Sequence, residues 1–251
     1  MYEDLKNKIT IVTGGAGGLG SEIVQEFCKN GSTVIIADKD ELNSKKLEEK
    51  IKSIDQNAET YKLDVRNDKD IKSMCAYVMK KYQRIDILIN VAGITIRKFF
   101  LDFDEQDFDD VIDINLKGTF LCSKEVCKYM VKMGKGKVIN LSSIGGSAAL
   151  KNSAVYCASK GGVEQLTRVM AIDLAQHNIH INAIAPCLTN TPIAETVFKD
   201  KKMLEWFTSK IPMGKLCEPN YIANAALFLA SSASDYITGH ILSVDGGYLA
   251  Q

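Results

Sequence analysis

Short apolar runs alternate with longer helix-like stretches from one end of the chain to the other. The runs cover residues 9–13, 33–37, 60–64, 85–90, 137–141, 180–185 and 240–244, and most are near-continuous in apolar residues. Such runs suit parallel strands buried on both faces, which need no polar side. Helix-like patterns fill the intervals near 18–30, 41–54, 68–82, 105–133, 155–176 and 219–231. This alternation predicts an α/β fold, an open, doubly wound parallel sheet with right-handed crossovers.

The one long irregular stretch, 188–219, holds Pro192, Pro212 and Pro219. It also carries an apolar set of Ile193, Val197, Phe198, Met203, Leu204, Trp206 and Phe207. A connection of that length in a compact domain is expected to be a functional lid or to carry a small helix of its own. A surface helical hairpin packing its own aromatics is the alternative. No repeat or linker marks a boundary, so residues 1–251 are expected to form a single domain.

With 46% hydrophobic and 25% charged residues, the composition is that of a soluble globular protein with a sizeable core. Lysine plus arginine balances aspartate plus glutamate, 31 against 31, which argues against a nucleic-acid partner. No run is long and apolar enough for a membrane span, and the polar start at Met1–Tyr2–Glu3 is unlike a secretory signal. Seven scattered cysteines without a C-x-x-C pattern predict reduced thiols in a cytoplasmic protein rather than disulfides or zinc. No metal site is expected; His177 and His180 read as punctuation of a helix-to-strand connection around Asn178.

The first run leads into Thr13-Gly14-Gly15-Ala16-Gly17-Gly18-Leu19-Gly20 and then a helix. Glycines there allow a tight turn and close approach to a pyrophosphate, and the helix start offers unpaired N–H groups and a positive dipole. No Gly-Lys-Ser/Thr follows, which disfavours a nucleoside-triphosphate loop. The second run ends at Asp38, where a carboxylate can accept from both adenosine ribose hydroxyls and repel a 2′-phosphate. Lys39 is a neighbouring cation that could favour a phosphate; Asp40 and Glu41 read as solvated turn acids. On balance the cofactor expected is NAD.

Tyr156 and Lys160 are four apart in Val155-Tyr156-Cys157-Ala158-Ser159-Lys160, and thus on one face of a helix, thirteen residues after Ser143. An ammonium beside a phenol favours the phenolate, so the pair could transfer a proton.

Taken in order, these pieces resemble the short-chain dehydrogenase/reductase family over essentially the whole chain. Gly14, Gly18, Leu19 and Gly20 fall in its cofactor turn, and Asp64-Val65 looks like its adenine-contacting pair. Asn90-Val91-Ala92-Gly93 resembles its Asn-Asn-Ala-Gly, with Val91 for the second asparagine. Pro186, Thr189 and Thr191 match its segment near the nicotinamide, with Cys187 where a glycine is usual. A side chain at that position would be strained if the backbone needs positive φ. Where the family often carries a basic residue for NADP, this chain has Gly17.

The resemblance implies a seven-stranded Rossmann-type sheet of order 3-2-1-4-5-6-7 with helices on both faces. It also implies a homotetramer and hydride transfer between nicotinamide and a carbinol or carbonyl carbon. Tyr156 would be the general acid/base, aided toward ionisation by Lys160. Lys160 would also hold the nicotinamide ribose, Ser143 would orient the reacting oxygen, and Asn115 would serve a kink or a water relay to Lys160. A purely structural Asn115 is the alternative.

For the substrate, Gly93-Ile94-Thr95-Ile96-Arg97 is similar to a stretch of the gluconate and deoxygluconate dehydrogenases. Arg97 could pair with a sugar-acid carboxylate, or could be an exposed loop arginine beside Lys98. The function expected is an NAD(H)-dependent oxidoreductase of secondary alcohols and ketones, possibly on a sugar acid or polyol. A 3-ketoacyl carrier-protein reductase, a hydroxysteroid dehydrogenase and an NAD-sensing binding protein stay open.

Overall fold

The computed structural model of the chain describes residues 2–191 and 195–251, without the side chains of residues 195 and 196. Seven strands, β1 (Ile9–Thr13), β2 (Thr33–Asp38), β3 (Ala58–Lys62), β4 (Ile87–Asn90), β5 (Gly136–Leu141), β6 (Ile179–Pro186) and β7 (Ile241–Val244), form one sheet. Its order is β3-β2-β1-β4-β5-β6-β7 and every pairing is parallel. The helices are α1 (Gly18–Lys29), α2 (Glu41–Lys52), α3 (Asp68–Tyr82), α4 (Glu105–Ile112) and α5 (Gly118–Met133). They continue with α6 (Ile144–Ser147), α7 (Ala154–Leu174), α8 (Glu195–Lys199), α9 (Lys201–Ser209) and α10 (Pro219–Ala230).

Alternate strand residues feed two separate cores. Val12, Val34 and Ile36 pack with Ile23 and Phe27 of α1, Leu47 of α2 and Ile222 of α10. Ile11, Ile35 and Leu88 pack on the other face with Ile71 and Met74 of α3, Val126 of α5 and Ala171 of α7. Both faces are therefore dry, which is why these strands read as unbroken apolar runs.

Local signals start and stop the helices. Asp40 caps α2 by accepting the Asn43 N–H, Asn67 caps α3, and Asp104 with Asp107 forms a reciprocal capping box on α4. Asp40 is thus a helix cap, and Glu41 pairs with Lys62 at 2.9 Å. Pro219 opens α10, where a missing N–H is harmless.

The stretch 105–133 is not one uniform helix. A π-helical turn, Asp113–Lys117, joins α4 to α5 and contains Asn115. Such turns recur at functional sites.

In the 188–219 region, Val197, Phe207 and Ile211 are buried against Ile144, Cys187 and Leu188, a third apolar cluster over the sheet's C-terminal edge. Pro192 and Ile193, expected in the lid, lie outside the described residues. Cys187 does not adopt positive φ, so its side chain carries none of the strain considered above. Among the described residues no helix is long and apolar enough to cross a membrane. All seven cysteines are free thiols, with only Cys157 partly exposed.

Candidate active site

The sheet order reverses direction between β1 and β4, and the loops leaving the strands' C-terminal ends open a crevice there. The turn after β1 is closed by Gly14 N–H to Ala37 O at 2.8 Å and Gly17 N–H to Gly14 O at 3.1 Å. Gly14 has φ +64°, and a Cβ there would lie 2.7 Å from the Ala92 Cα. At Gly20 a Cβ would lie 2.1 Å from the Gly14 carbonyl oxygen. Glycine is therefore required where strand, turn and α1 converge.

Asp38 is held by backbone at both oxygens: Ala16 N–H donates to Oδ2 and Asp40 N–H to Oδ1, each at 3.0 Å. Each oxygen keeps a free lone pair facing the cleft that Asp38 lines with Lys39, Asp64, Val65 and Arg66. Arg66 binds Asp64 through Nε (3.0 Å to Oδ1) and Nη2 (2.6 Å to Oδ2), and holds its carboxyl below the usual carboxylate range. The glycine turn, the Asp38 acceptors and this cleft fit a dinucleotide: backbone N–H groups for a pyrophosphate, a carboxylate for a ribose diol.

The cleft continues past Leu19, Val91, Gly93 and Thr191 into a deeper pocket lined by Ser143, Tyr156, Lys160, Pro186 and Thr189. Ser143 ends the turn after β5, with its Oγ accepting the Gly145 N–H at 3.0 Å. Its hydroxyl lies beside the Tyr156 phenol in this pocket and favours the phenolate. Lys160 Nζ donates to Leu141 O at 2.7 Å and lies 5.8 Å from the Tyr156 ring centre.

Burial is the largest influence on both groups. It pushes Tyr156 up despite Ser143 and the Arg97 charge, and it lowers Lys160 to about 8. Among the charges around Tyr156, Arg97 favours the phenolate.

Asn115 is fully buried on the π turn. Its Oδ1 accepts the Ile94 N–H (2.8 Å), and its Nδ2 donates to Ile94 O (2.9 Å) and Ser159 Oγ (3.0 Å). Asn115 thus ties the segment after β4 to α7. Asn90 lies beneath the cleft, its amide donating to Ser123 Oγ (2.9 Å) and Asn140 Oδ1 (2.8 Å). That bridge ties β4 to β5 and α5 without help from position 91, where Val91 packs on the core.

Gly93, Thr95 and Arg97 all line the deeper pocket. Every second residue faces it, so the Thr95 contact was available from the period-2 rule for extended chain once Gly93 and Arg97 were singled out. Arg97 is not a solvated loop arginine: it is half-buried, with Cζ 6.0 Å from the Phe207 ring centre and a buried Nε without a hydrogen-bond partner. Burial lowers its pKa, opposed by Tyr156 and Cys157. Lys98 points elsewhere, to Asp107. Leu150 and Leu188 also line the pocket, brought there by loops whose paths no local pattern encodes, and Phe207 of α9 reaches it from the expected lid region.

A protein-family model described as "Enoyl-(Acyl carrier protein) reductase" matches residues 14–249. This chain belongs to the short-chain dehydrogenase/reductase family. The 3-oxoacyl-[acyl-carrier-protein] reductase FabG of Thermotoga maritima is 37% identical over 243 residues, 97% of this chain and 98% of that protein. The 5-keto-D-gluconate 5-reductase of Escherichia coli K12 is 35% identical over 245 residues, 98% and 96% respectively. A gluconate 5-dehydrogenase from Burkholderia cenocepacia, solved with NADP and tartrate, superposes with a TM-score of 0.95 at 28% identity, covering 99% of this chain and 98% of that one. As a short-chain dehydrogenase/reductase the protein is an oxidoreductase of alcohol and ketone groups, built for a nicotinamide cofactor.

Proposed function

We propose that this enzyme interconverts a secondary alcohol and a ketone on a small hydroxylated carboxylic acid of the gluconate class, with NAD(H) preferred. The observation that carries the substrate reading is Arg97. It is a half-buried guanidinium beside Tyr156, with an unpartnered Nε and no carboxylate pairing with it among the described residues. An anionic substrate would supply that partner. The similarity to a 5-keto-gluconate reductase and a gluconate 5-dehydrogenase supports the same reading.

When bound, the nicotinamide supplies or accepts the hydride. Gly14, Gly18, Leu19, Gly20, Asp38, Asp64, Val65, Asn90, Ala92, Gly93, Pro186, Thr189 and Thr191 would form or brace its cleft, and Lys160 would hold the adjoining ribose. Tyr156 would give a proton to the carbonyl oxygen in reduction and take it from the hydroxyl in oxidation. Ser143 and the Arg97 charge favour the phenolate and so oppose the desolvation that raises its pKa, easing proton transfer. Ser143 would hydrogen-bond the reacting oxygen.

Preference for NAD rests on Asp38, whose carboxylate faces the ribose position, and on Gly17 in place of a basic residue. The helices α8 and α9 would form the substrate lid of a single 1–251 domain in a cytoplasmic protein. Exposed Phe120 on α5, and Val169 and Ile172 on α7, support a homotetramer with those helices at an interface.

A 3-oxoacyl carrier-protein reductase is the second reading. It is favoured by exposed Phe99, Phe100 and Leu101, an apolar run just beyond Arg97 and Lys98 that could receive an acyl chain. Absorbance at 340 nm with NAD(H) and NADP(H) against gluconates, polyols, hydroxyacyl thioesters and hydroxysteroids separates these readings. We expect turnover of a sugar acid with NAD, and a loss of about 10–100-fold in kcat/KM in Arg97→Ala from one charged hydrogen bond. Turnover of thioesters or steroids alone would overturn the sugar-acid reading. Tyr156→Phe should abolish turnover and keep NAD binding, as expected of an enzyme rather than a sensor.

A further inference from the structure

Glu164 is 4% exposed, on the face of α7 one turn beyond Lys160, and plays no part in the proton chemistry above. A buried carboxylate is costly unless its oxygens are satisfied. Here hydroxyl donors satisfy both: Ser142 Oγ to Oε1 at 3.0 Å, and Ser147 Oγ to Oε1 at 3.2 Å and Oε2 at 3.1 Å. Arg168 Nη2 lies 3.8 Å from Oε2. The two serines flank the turn that carries Ser143.

The two sides of that turn are held differently. On the strand side, Ser142 N–H donates to Ile184 O at 2.8 Å, which locks it to β6. On the far side, α6 is four residues long, and its backbone bonds stay within the turn: Gly146 N–H to Ser143 O and Ala148 N–H to Ile144 O. The side-chain tie from α6 to α7 is Ser147 to Glu164. Gly146 gives way for it, since a Cβ there would lie 2.3 Å from Glu164 Oε1.

Tyr156 and Lys160 sit on the same helix as Glu164. One rigid element therefore presents the phenol, the lysine and the anchor of the serine turn. We infer that Glu164 is a positioning residue: it straps the Ser142–Ser147 turn to α7 and thereby sets the Ser143 hydroxyl against Tyr156. The inference rests on the proposed roles of Ser143 and Tyr156.

The consequence is expected mainly in the chemical step, because the turn carries Ser143 beside Tyr156, whereas the glycine turn and Asp38 hold the far end of the dinucleotide cleft. A misplacement near 1 Å at reacting groups lowers rate by up to about 100-fold without removing any group. Glutamine keeps one acceptor oxygen for the two serines; alanine keeps none.

The test uses full-length protein, NAD(H), and whichever of gluconate, xylitol, a 3-hydroxybutyryl thioester or a hydroxysteroid gives the highest turnover. Wild type, Glu164→Ala, Glu164→Gln, Ser147→Ala and Tyr156→Phe are compared for kcat, KM and NADH affinity by fluorescence. Glu164→Ala is expected to lower kcat about 10–100-fold with KM and NADH affinity within about twofold, and Glu164→Gln to recover kcat to within about threefold of wild type. Should Glu164→Ala not fold, Ser147→Ala removes the same tie from the turn, with an expected kcat loss of about 3–10-fold and unchanged NADH affinity. An unchanged kcat in the folded variant, or a parallel loss of NADH affinity, overturns the strap. Turnover surviving in Tyr156→Phe would instead sink the underlying site reading, while an inactive Tyr156→Phe beside a fully active Glu164→Ala sinks the strap alone.

Discussion

Replacing Asn115 with alanine separates two roles that the motif alone leaves together. The side chain makes three hydrogen bonds, to Ile94 N–H, Ile94 O and Ser159 Oγ, at 2.8–3.0 Å and with no solvent exposure. A typical bond of this kind contributes about 1 kcal/mol net, and an abandoned buried partner raises the loss. The expected destabilisation is therefore about 3 kcal/mol. For a chain of this size that corresponds to a Tm lower by roughly 6–12 °C. Thermal unfolding followed by circular dichroism, without nucleotide so that ligand linkage does not mask the change, measures it. Turnover should fall as well, because Ile94 lines the dinucleotide cleft and its neighbours Gly93, Thr95 and Arg97 line the substrate pocket. A Tm within about 2 °C of wild type, with turnover lost, would refute the brace. It would place Asn115 in the proton relay alone.

Two further outcomes follow from the site's charges. Asp38→Asn keeps the shape and an acceptor but removes the charge facing a 2′-phosphate. For a half-exposed pair this is worth about 1–3 kcal/mol, so the NAD-to-NADP ratio of kcat/KM should fall roughly 10–100-fold, and an unmoved ratio would remove Asp38 from cofactor selection. Burial lowers the Lys160 pKa to about 8 in the fold from an ordinary 10.5, so between those values the unfolded chain holds the extra proton. The Lys160 contribution to stability then rises with pH between about 8 and 10.5 and falls back as pH drops through 8. The stability difference between wild type and Lys160→Met, measured by urea titration, should grow by about 3 kcal/mol across that window; a flat difference would show that Lys160 is not desolvated.

Much of the site was legible because the chemistry constrains residue type and interval together. The glycine turn, Asp38 and Ser143 lie at strand ends that the apolar runs already mark, and Tyr156 and Lys160 share one face of α7. A parallel sheet places all such ends on one edge, so finding the strands locates the cleft. Val91 and Cys187 looked like departures with consequences. The strain at Cys187 does not arise, because Cys187 does not adopt positive φ, while next to Val91 the Asn90 amide donates to Asn140 and Ser123 and its Oδ1 stays buried without a partner.

What the chain alone determined is whatever depends on neighbours in sequence: the periodicity that makes strands and helices, the caps, the turn glycines and the tyrosine–lysine spacing. Tertiary structure alone decided what depends on burial and on distant partners. Arg97 reads as an ordinary loop cation until Phe207, 110 residues later in the chain, covers it and desolvates its Nε. Glu164 reads as one more charged helix residue until Ser142 and Ser147 close over it. Tyr156 was expected to be helped toward the phenolate, yet desolvation outweighs the nearby charges and holds the proton on. Desolvation depends on everything packed around a group, and no local spacing encodes that.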